Sequence, residues 1–186
     1  MPKKWPVLRS MVDKSYSIFS IRTDTARSPR TEREHDFYVL DTSDWVSVIP
    51  ITGDHKVVMV KQYRHGTREV TLETPGGLME LGDNPEAAVR RELLEETGYQ
   101  SSEYSKIGFL HPHPALFNNR LHIFSALDVK KVSEGNQDDA EDIEVVLVPL
   151  AEIPDLITEG IITHALVVAG FYYYFLKTKA EKLKEI

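Results

Sequence analysis

The sequence predicts an α+β fold built on a layered sheet. Two features support this prediction. Runs rich in β-branched and aromatic residues are separated by turn segments such as TGDH and SEGNQDD, which is typical of strands. One helical segment interrupts these strands, and further helical segments follow the last of them. Strands that do not alternate regularly with helices favour an α+β arrangement over a regular α/β one.

The predicted strands share this composition. In chain order they are SYSIFSI, FYVLD, WVSVIPI, KVVMVKQY, EVTLE, KIGFL, RLHIFSAL and IEVVLVPL. The polar stretch TDTARSPRTEREHD reads as a turn within a separate small β region. We therefore expect a β region at 1–43, which is a candidate dimerisation or swapped element, and a main domain at 44–186.

Three helices are predicted. The first spans Pro85–Thr97, because proline suits a first helical turn and Gly98 is a typical residue just past a helix end. A final pair begins near Ala151 and is interrupted at TEG. Its second member includes GIITHALVVAGFYYYFL, which is shorter than the roughly 20 residues of a membrane span. We expect a buried amphipathic helix, and the inward residues at helical spacing are Ile161, Ala165, Val168 and Phe171 or Tyr172.

Composition narrows the function classes. The chain has 186 residues, a formal net charge of −7 and no cysteine. The acidic balance disfavours nucleic acid as the main partner, and the absence of cysteine excludes disulfides and a thiolate nucleophile. The N-terminal segment MPKKWPVLRSMVDKS lacks the apolar core of a secretion signal. We expect a cytoplasmic enzyme without a membrane partner.

The first predicted helix carries carboxylates at its unfavourable end. Glu92, Glu95 and Glu96 fall within an arc of about 100°, although the last turn of a helix prefers cations. One interpretation is a solvated acidic face, partly neutralised by Arg90 and Arg91. The other is a ligand set for a hard divalent cation. The preceding pair Gly76-Gly77 favours the second, since glycines let the backbone approach a ligand closely.

The segment GGLMELGDNPEAAVRRELLEETGY resembles the box that defines the Nudix hydrolases. The matching residues are Gly77, Arg91, Glu92, Leu93, Glu95, Glu96 and Gly98. Asp83 stands where the pattern has its first glutamate, and we expect it to be structural, through a salt bridge to Arg91. The resemblance implies an α/β/α sandwich with a mixed central sheet, together with a small N-terminal antiparallel sheet.

The resemblance also implies a chemistry. Nudix enzymes hydrolyse a nucleoside diphosphate linked to another group, with Mg²⁺ or Mn²⁺ bound by the box. In this chain Glu92 and Glu96 are then the main metal ligands and Glu95 is secondary. The carbonyl of Gly76 completes the set, and Glu95 and Glu96 are catalytic candidates. Arg91 is expected to orient the glutamates.

A second resemblance concerns the substrate. VVMVKQYRHGTREVTLETPGG is similar to the segment before the box in hydrolases of ADP-ribose and nucleotide sugars. It implies that Arg64 clamps a phosphate or ribose and that Glu73 contributes to the site; the alternative for Arg64 is a surface arginine at a strand end. Pro114 occupies the position of a proline in that subfamily's substrate loop.

Further candidates rest on position relative to related hydrolases. Glu141, followed by Asp139, is the candidate for a base or an extra metal ligand; the alternative is a solvated acidic turn. Trp45 is a candidate for stacking on a nucleobase, and so are Phe37 and Tyr38; the alternative for all three is a place in the core. Arg33 is a candidate for contact with the terminal sugar or phosphate. The resemblance further implies a homodimer.

Three functions remain open at this level. The leading one is metal-dependent hydrolysis of the pyrophosphate bond of nucleoside diphosphate sugars, ADP-ribose included. The second is hydrolysis of dinucleoside polyphosphates or RNA caps. The third is a non-catalytic module that binds ADP-ribose or a nucleotide sugar. Retention of Glu92, Glu95 and Glu96 favours turnover.

Overall fold

A computed structural model describes residues 1–80, 82–136 and 142–184. The strands are β1 (Val7–Ser15), β2 (Ser20–Arg27), β3 (Glu34–Asp41), β4 (Trp45–Pro50), β5 (Lys56–Arg64), β6 (Glu69–Glu73), β7 (Gly76–Leu78), β8 (Tyr99–Gln100), β9 (Glu103–Leu110), β10 (Leu121–Leu127), β11 (Lys130–Lys131) and β12 (Ile143–Pro149). The helices are α1 (Pro85–Thr97), α2 (Ile153–Thr158) and α3 (Ala165–Lys184), and a 3-10 turn, Leu150–Glu152, leads into α2. None of the helices within these residues combines the length and hydropathy that a membrane crossing requires.

The chain divides into two compact units. The first comprises Met1–Asp44 and Leu110–Arg120, and the second comprises Trp45–Phe109 and Leu121–Ile186. In the first unit, β1, β2 and β3 form an antiparallel sheet. The 110–120 segment joins β3 of that sheet, because Leu40 N–H donates to Leu116 O over 2.8 Å.

The sequence prediction for the start of this sheet was wrong. SYSIFSI spans the turn between β1 and β2, where Tyr16 N–H donates to Phe19 O over 2.8 Å, and β1 itself was not expected. All nine residues of β1 are exposed, so the strand has no buried face to impose the alternating pattern by which strands are recognised.

The second unit contains a mixed sheet with helices on two faces. Its four-stranded sheet has the order β7-β4-β10-β9, in which β4 and β10 are parallel and β4 and β7 are antiparallel. A three-stranded sheet has the order β12-β5-β6. Alternate residues of β5 point to different cores: Val58 packs in the cluster that includes α1, and Val57 and Met59 pack in the cluster that includes α3. The α+β prediction is confirmed, and this layering matches the expected α/β/α sandwich.

The last helix is shifted relative to its prediction. It begins at Ala165, so Ile161 precedes it and is exposed, as is Tyr172. Its buried contacts come from Val167 and Phe171, one turn apart, whereas Ala165 is exposed and Val168 is only partly buried. The apolar run continues through the preceding loop, so hydrophobicity alone does not mark where the helical period starts.

Candidate functional site

Local signals define helix α1 on both sides. Asn84 Oδ1 accepts from Ala87 N–H over 2.8 Å, which is a standard N-cap, and Pro85 follows at the first helical position. Gly98 ends the helix in the left-handed conformation, with φ at 72°, and its N–H donates to Leu94 O. The predicted bounds Pro85–Thr97 are confirmed. These caps set where the helix begins and ends, and the packing of Ala88, Val89 and Leu93 in the core sets which way its glutamates point.

The Gly76-Gly77 pair lies in strand β7 and touches both β4 and α1. A Cβ on Gly76 would lie 2.2 Å from Val46 O, and a Cβ on Gly77 would lie 2.7 Å from a carboxylate oxygen of Glu92. Gly76 N–H also donates to Glu96 Oε2 over 3.0 Å. Only glycine fits at position 76, where the neighbouring atoms are backbone, whereas a Cβ at Gly77 would displace the carboxylate of Glu92. The pair therefore lets β7 lie directly against both glutamates.

The three box glutamates differ in burial. Glu92 is 8% exposed and Glu96 is 4% exposed, whereas Glu95 is only partly buried. A solvated acidic face therefore does not describe Glu92 and Glu96. Burying carboxylates is unfavourable unless charge and hydrogen bonding offset the desolvation, so the fold carries a cost at this position.

Arg91 is surrounded by four carboxylates. Its guanidinium lies 3.0 Å from Glu92 Oε1 and 3.3 Å from Glu95 Oε2, and it also pairs with Asp83 at 3.5 Å and Glu80 at 3.7 Å. Partial burial opposes its charge, but Glu92, Glu95 and Glu80 outweigh that effect and raise the pKa of Arg91. Arg91 thus orients the carboxylates, and Asp83 makes the expected salt bridge to it.

The donor set suits a hard divalent cation chemically. Carboxylate oxygens are the ligands that Mg²⁺ prefers, and Mg²⁺ needs only a few of them, because water and substrate phosphate complete its octahedron. Within the described residues, no three His, Asp or Glu side chains are gathered as a preformed metal cage. Glu92 and Glu96 are instead held by Arg91 and by Gly76 N–H.

The segment after β11 docks on the end of α1. Asn136 N–H donates to Glu95 O and Val132 N–H donates to Gly98 O, each over 2.8 Å. A Cβ on Gly98 would lie 2.0 Å from Ser133 O, so glycine is required at this approach too. Glu141 and Asp139 lie outside the described residues.

A second charged group joins β5 and β6. Arg64 Nε and Nη2 donate to the two oxygens of Glu73, each over 2.8 Å. Thr71 Oγ1 donates to Glu73 Oε1 over 2.5 Å, and His164 Nε2 lies 4.0 Å from Oε2. Burial would raise the pKa of Glu73, but the hydrogen bonds from Arg64 and Thr71 outweigh it and lower the pKa. Thr71 was missed by sequence reasoning, although its spacing of two from Glu73 places both on one face of β6.

The remaining candidates are divided between the two units. Arg33 and Pro114 belong to the first unit, where Pro114 lies in an exposed turn closed by Leu116 N–H donating to His113 O. Trp45 opens β4 in the second unit and is partly buried. Phe37 and Tyr38 lie on β3 and are exposed, so neither is a core residue of the described first unit.

Known proteins resemble this chain in sequence and in fold. The sequence profile of the NUDIX domain matches residues 42–170. An ADP-ribose pyrophosphatase of Bacillus subtilis (strain 168) is 31% identical over 140 residues, which is 75% of this chain and 76% of that protein. A GDP-mannose pyrophosphatase of Escherichia coli O1:K1 / APEC is 28% identical over 157 residues, 80% and 82% of the two chains.

Two further matches extend the comparison. A methanol dehydrogenase activator of Bacillus methanolicus is 31% identical over 133 residues, 71% of this chain and 72% of that protein. The crystal structure of an ADP compounds hydrolase has the same fold, with a TM-score of 0.85 at 22% identity over 97% of each chain. The profile covers more than half of the sequence and includes the glycine pair and all three glutamates. This chain belongs to the Nudix family.

Proposed function

We propose that this protein hydrolyses the pyrophosphate bond of nucleoside diphosphate sugars, ADP-ribose included, to a nucleoside monophosphate and a sugar phosphate. One observation carries the proposal: Glu92 and Glu96 are buried side by side on α1 and held against Gly76-Gly77. Relatives described as ADP-ribose and GDP-mannose pyrophosphatases support the substrate class.

The proposed cofactor is Mg²⁺, for which Mn²⁺ can substitute. Glu92 and Glu96 would hold it, with Glu95 and the carbonyl of Gly76 as further ligands. When bound, the cation neutralises phosphate oxygens and promotes ionisation of the attacking water. Glu95 and Glu96 are the catalytic candidates in the box, and Arg91 keeps the carboxylates oriented. Glu141 is proposed as the base or an extra ligand.

Arg64 is proposed as the clamp for the diphosphate or ribose. A guanidinium suits phosphate oxygens because it offers planar paired donors. Glu73 accepts from Arg64 through both oxygens, which fixes the plane of the guanidinium. Glu73 therefore contributes to substrate binding through Arg64. Trp45, Arg33 and Pro114 stay as predicted contacts for the base, the terminal sugar or phosphate, and the substrate loop.

We propose that the protein acts as a homodimer through residues 1–43, with 44–186 as the hydrolase domain. The β1–β3 sheet exposes apolar side chains, which include Leu8, Met11, Val12, Phe37 and Tyr38. By strand alternation Met11 and Tyr38 lie on one face of this sheet and Val12 and Phe37 on the other, and exposed apolar side chains of this kind favour a protein partner. Light scattering should report twice the chain mass, and Met11→Lys/Val12→Lys should reduce it to one. A monomeric wild type would contradict the dimer.

The cytoplasmic location also stays a prediction, and cell fractionation would test it.

Incubation of the purified protein with Mg²⁺ and a substrate panel tests the function. The panel contains ADP-ribose, ADP-glucose, GDP-mannose, UDP-glucose and diadenosine polyphosphates, and the products are resolved by ion-exchange chromatography. We expect a nucleoside monophosphate and a sugar phosphate from at least one nucleotide sugar. Cleavage of the dinucleoside polyphosphates alone would support the second candidate. Binding without product would support the regulatory module.

Matched variants make this test specific. Glu96→Gln should abolish turnover, while Glu86→Gln should retain it. Glu86 lies on the same helix but at its exposed first turn, where it pairs with Arg90 at 2.8 Å. Equal loss in both variants would indicate damage to the helix and would contradict the role given to Glu96.

A further inference from the structure

The turn between β2 and β3 lines a cavity of about 780 Å³ that lies wholly in the first unit. Its volume is within the range of about 300–1,000 Å³ that is typical of small-ligand sites. The lining residues are Met1, Pro2, Lys3, Trp5, Ser28, Pro29, Arg30, Thr31, Arg33 and His35. None of them is acidic, although the chain as a whole is.

The cations of this cavity are not neutralised by neighbouring carboxylates. Within the described residues, the side chains of Lys3, Arg30 and Arg33 make no hydrogen bond and no ion pair. Glu32 lies in the same turn but does not line the cavity, and Glu34, which begins β3, is paired with Arg27 at 3.0 Å. Three like charges around one cavity repel each other, and an anion between them would relieve that repulsion.

The turn that carries the two arginines is held from inside. Ser28 is 3% exposed, and its Oγ accepts from Arg30 N–H at 3.3 Å and Thr31 N–H at 3.2 Å. Its own N–H donates to Arg33 O over 2.8 Å. The backbone of the turn is therefore fixed before any ligand arrives, which reduces the entropy cost of binding.

One wall of the cavity is aromatic. The ring of Trp5 lies 5.3 Å from that of Phe37 at 89° and 5.8 Å from that of His35. The edge contact with Phe37 and the tilted contact with His35 hold the indole in place, and it remains 38% exposed. A fixed, exposed indole is a stacking surface for a planar heterocycle.

We propose that this cavity binds a nucleotide, with the phosphate between Arg30, Arg33 and Lys3 and the base on Trp5. The cavity lies in the first unit alone. Because Arg33 is also the proposed contact for the terminal sugar or phosphate of the hydrolase substrate, the test uses Lys3, Arg30 and Trp5, which the hydrolysis proposal does not use. The ligand class follows from the presence of both unneutralised cations and an indole in one cavity. A bare anion would need only the cations and an apolar ligand only the indole, whereas a nucleotide uses both.

Isothermal titration of the full chain with AMP in the presence of a chelator tests the proposal. AMP has no pyrophosphate bond, and the chelator removes cations from the box glutamates. We expect binding that Lys3→Gln/Arg30→Gln weakens at least about tenfold, since two charge-assisted contacts are lost. Arg9→Gln is the matched control, because Arg9 is an exposed arginine of the same sheet outside the cavity.

The aromatic wall has its own variant. Trp5→Leu should weaken the binding of AMP and leave that of inorganic phosphate unchanged, which separates the base contact from the phosphate contact. Circular dichroism checks that each variant is folded. AMP binding that is equal in the wild type and the Lys3→Gln/Arg30→Gln variant would overturn the proposal, as would no detectable binding of AMP to the wild type.

Discussion

Helices α1 and α3 belong to the same unit but bury different kinds of side chain. Helix α3 buries Val167 and Phe171, and its sequence ends in lysines, which suit the negative end of a helix dipole. Helix α1 buries Glu92 and Glu96 beside Leu93 and has no basic residue in its last turn. The arrangement in α3 is the one that stability alone would select, whereas buried carboxylates at the end of α1 are destabilising.

The difference separates residues that hold the fold from residues that perform chemistry. Natural sequences are locally consistent except at functional sites, where a rule is broken and compensated elsewhere. In α1 the compensation comes from the Asn84 cap, from Arg91 and from the hydrogen bond of Gly76 to Glu96. Substitutions in α3 should therefore change stability, and substitutions of the α1 glutamates should change activity.

The largest effect is expected in α3. Phe171 is fully buried, so Phe171→Ala should lower the free energy of unfolding by about 3–5 kcal/mol, through lost burial and the cavity left behind. Turnover per folded molecule should change little, because the side chain lies in the core cluster that does not include α1. Urea denaturation and a rate assay on the same sample measure both. A loss of turnover in fully folded Phe171→Ala protein would contradict the assignment of α3 to stability alone.

Glu96→Gln should have the reverse profile. We expect kcat for a nucleotide sugar to fall at least about 100-fold, equivalent to about 2.7 kcal/mol, because a proposed main ligand of the cation is lost. The amide retains an oxygen for Gly76 N–H, so the fold should remain intact. Steady-state kinetics and thermal unfolding in chelator provide the two readouts. Normal rates in this variant would show that Glu96 is not needed for catalysis.

Glu73→Gln should act on binding. The variant loses the charged, two-oxygen contact that holds Arg64, so we expect KM to rise about tenfold with a smaller change in kcat. The control is Glu69→Gln, since Glu69 lies on the same strand and is exposed. Unchanged KM in Glu73→Gln would show that the orientation of Arg64 is not fixed by this carboxylate.

The same residue predicts a pH dependence of stability. The pKa of Glu73 is lowered below its ordinary value of 4.5, so its charged form is favoured by folding. This contribution is present above pH 4.5 and disappears as pH falls through the lowered pKa. The stability difference between wild type and Glu73→Gln should therefore shrink with acidification below pH 4.5. Urea denaturation between pH 6 and pH 3 measures it, and a difference that grows in acid would contradict this sign.

The smallest effect concerns the helix cap. Asn84→Ala removes the acceptor for Ala87 N–H and should cost about 1 kcal/mol of stability. Activity should persist, since the rest of α1 stays packed through Val89 and Leu93. Asn84→Asp, which retains a capping oxygen, is the control. A cost in Asn84→Asp equal to that in Asn84→Ala would show that the cap is not the cause.

Helix α1 could be predicted from the sequence because its signals are local. Its cap, first proline and terminal glycine are adjacent to the helix, and the spacing of the glutamates fixes their common face. Strand β7 escaped prediction because two of its three residues are glycines, which disfavour strands, and it is defined by its pairing with β4.

The charged pairs show the limit of sequence reasoning. Arg64 and Glu73 were each recognised from resemblance, but their bidentate contact depends on the register of β5 against β6, in which Arg64 faces Glu69. Burial of Glu92 and Glu96 likewise depends on how closely β7 approaches α1. The spacing of residues in the sequence shows which helical face carries a charge, whereas tertiary packing decides whether water reaches that charge.

The central claim is that the buried glutamates of α1 exist to hold a divalent cation needed for pyrophosphate hydrolysis. The most direct test is a titration of Mg²⁺ into metal-stripped protein, with the rate of ADP-ribose hydrolysis as the readout. We predict no turnover in chelator, full recovery on adding Mg²⁺, and no recovery in Glu96→Gln. Undiminished turnover by the metal-stripped wild type would contradict the claim.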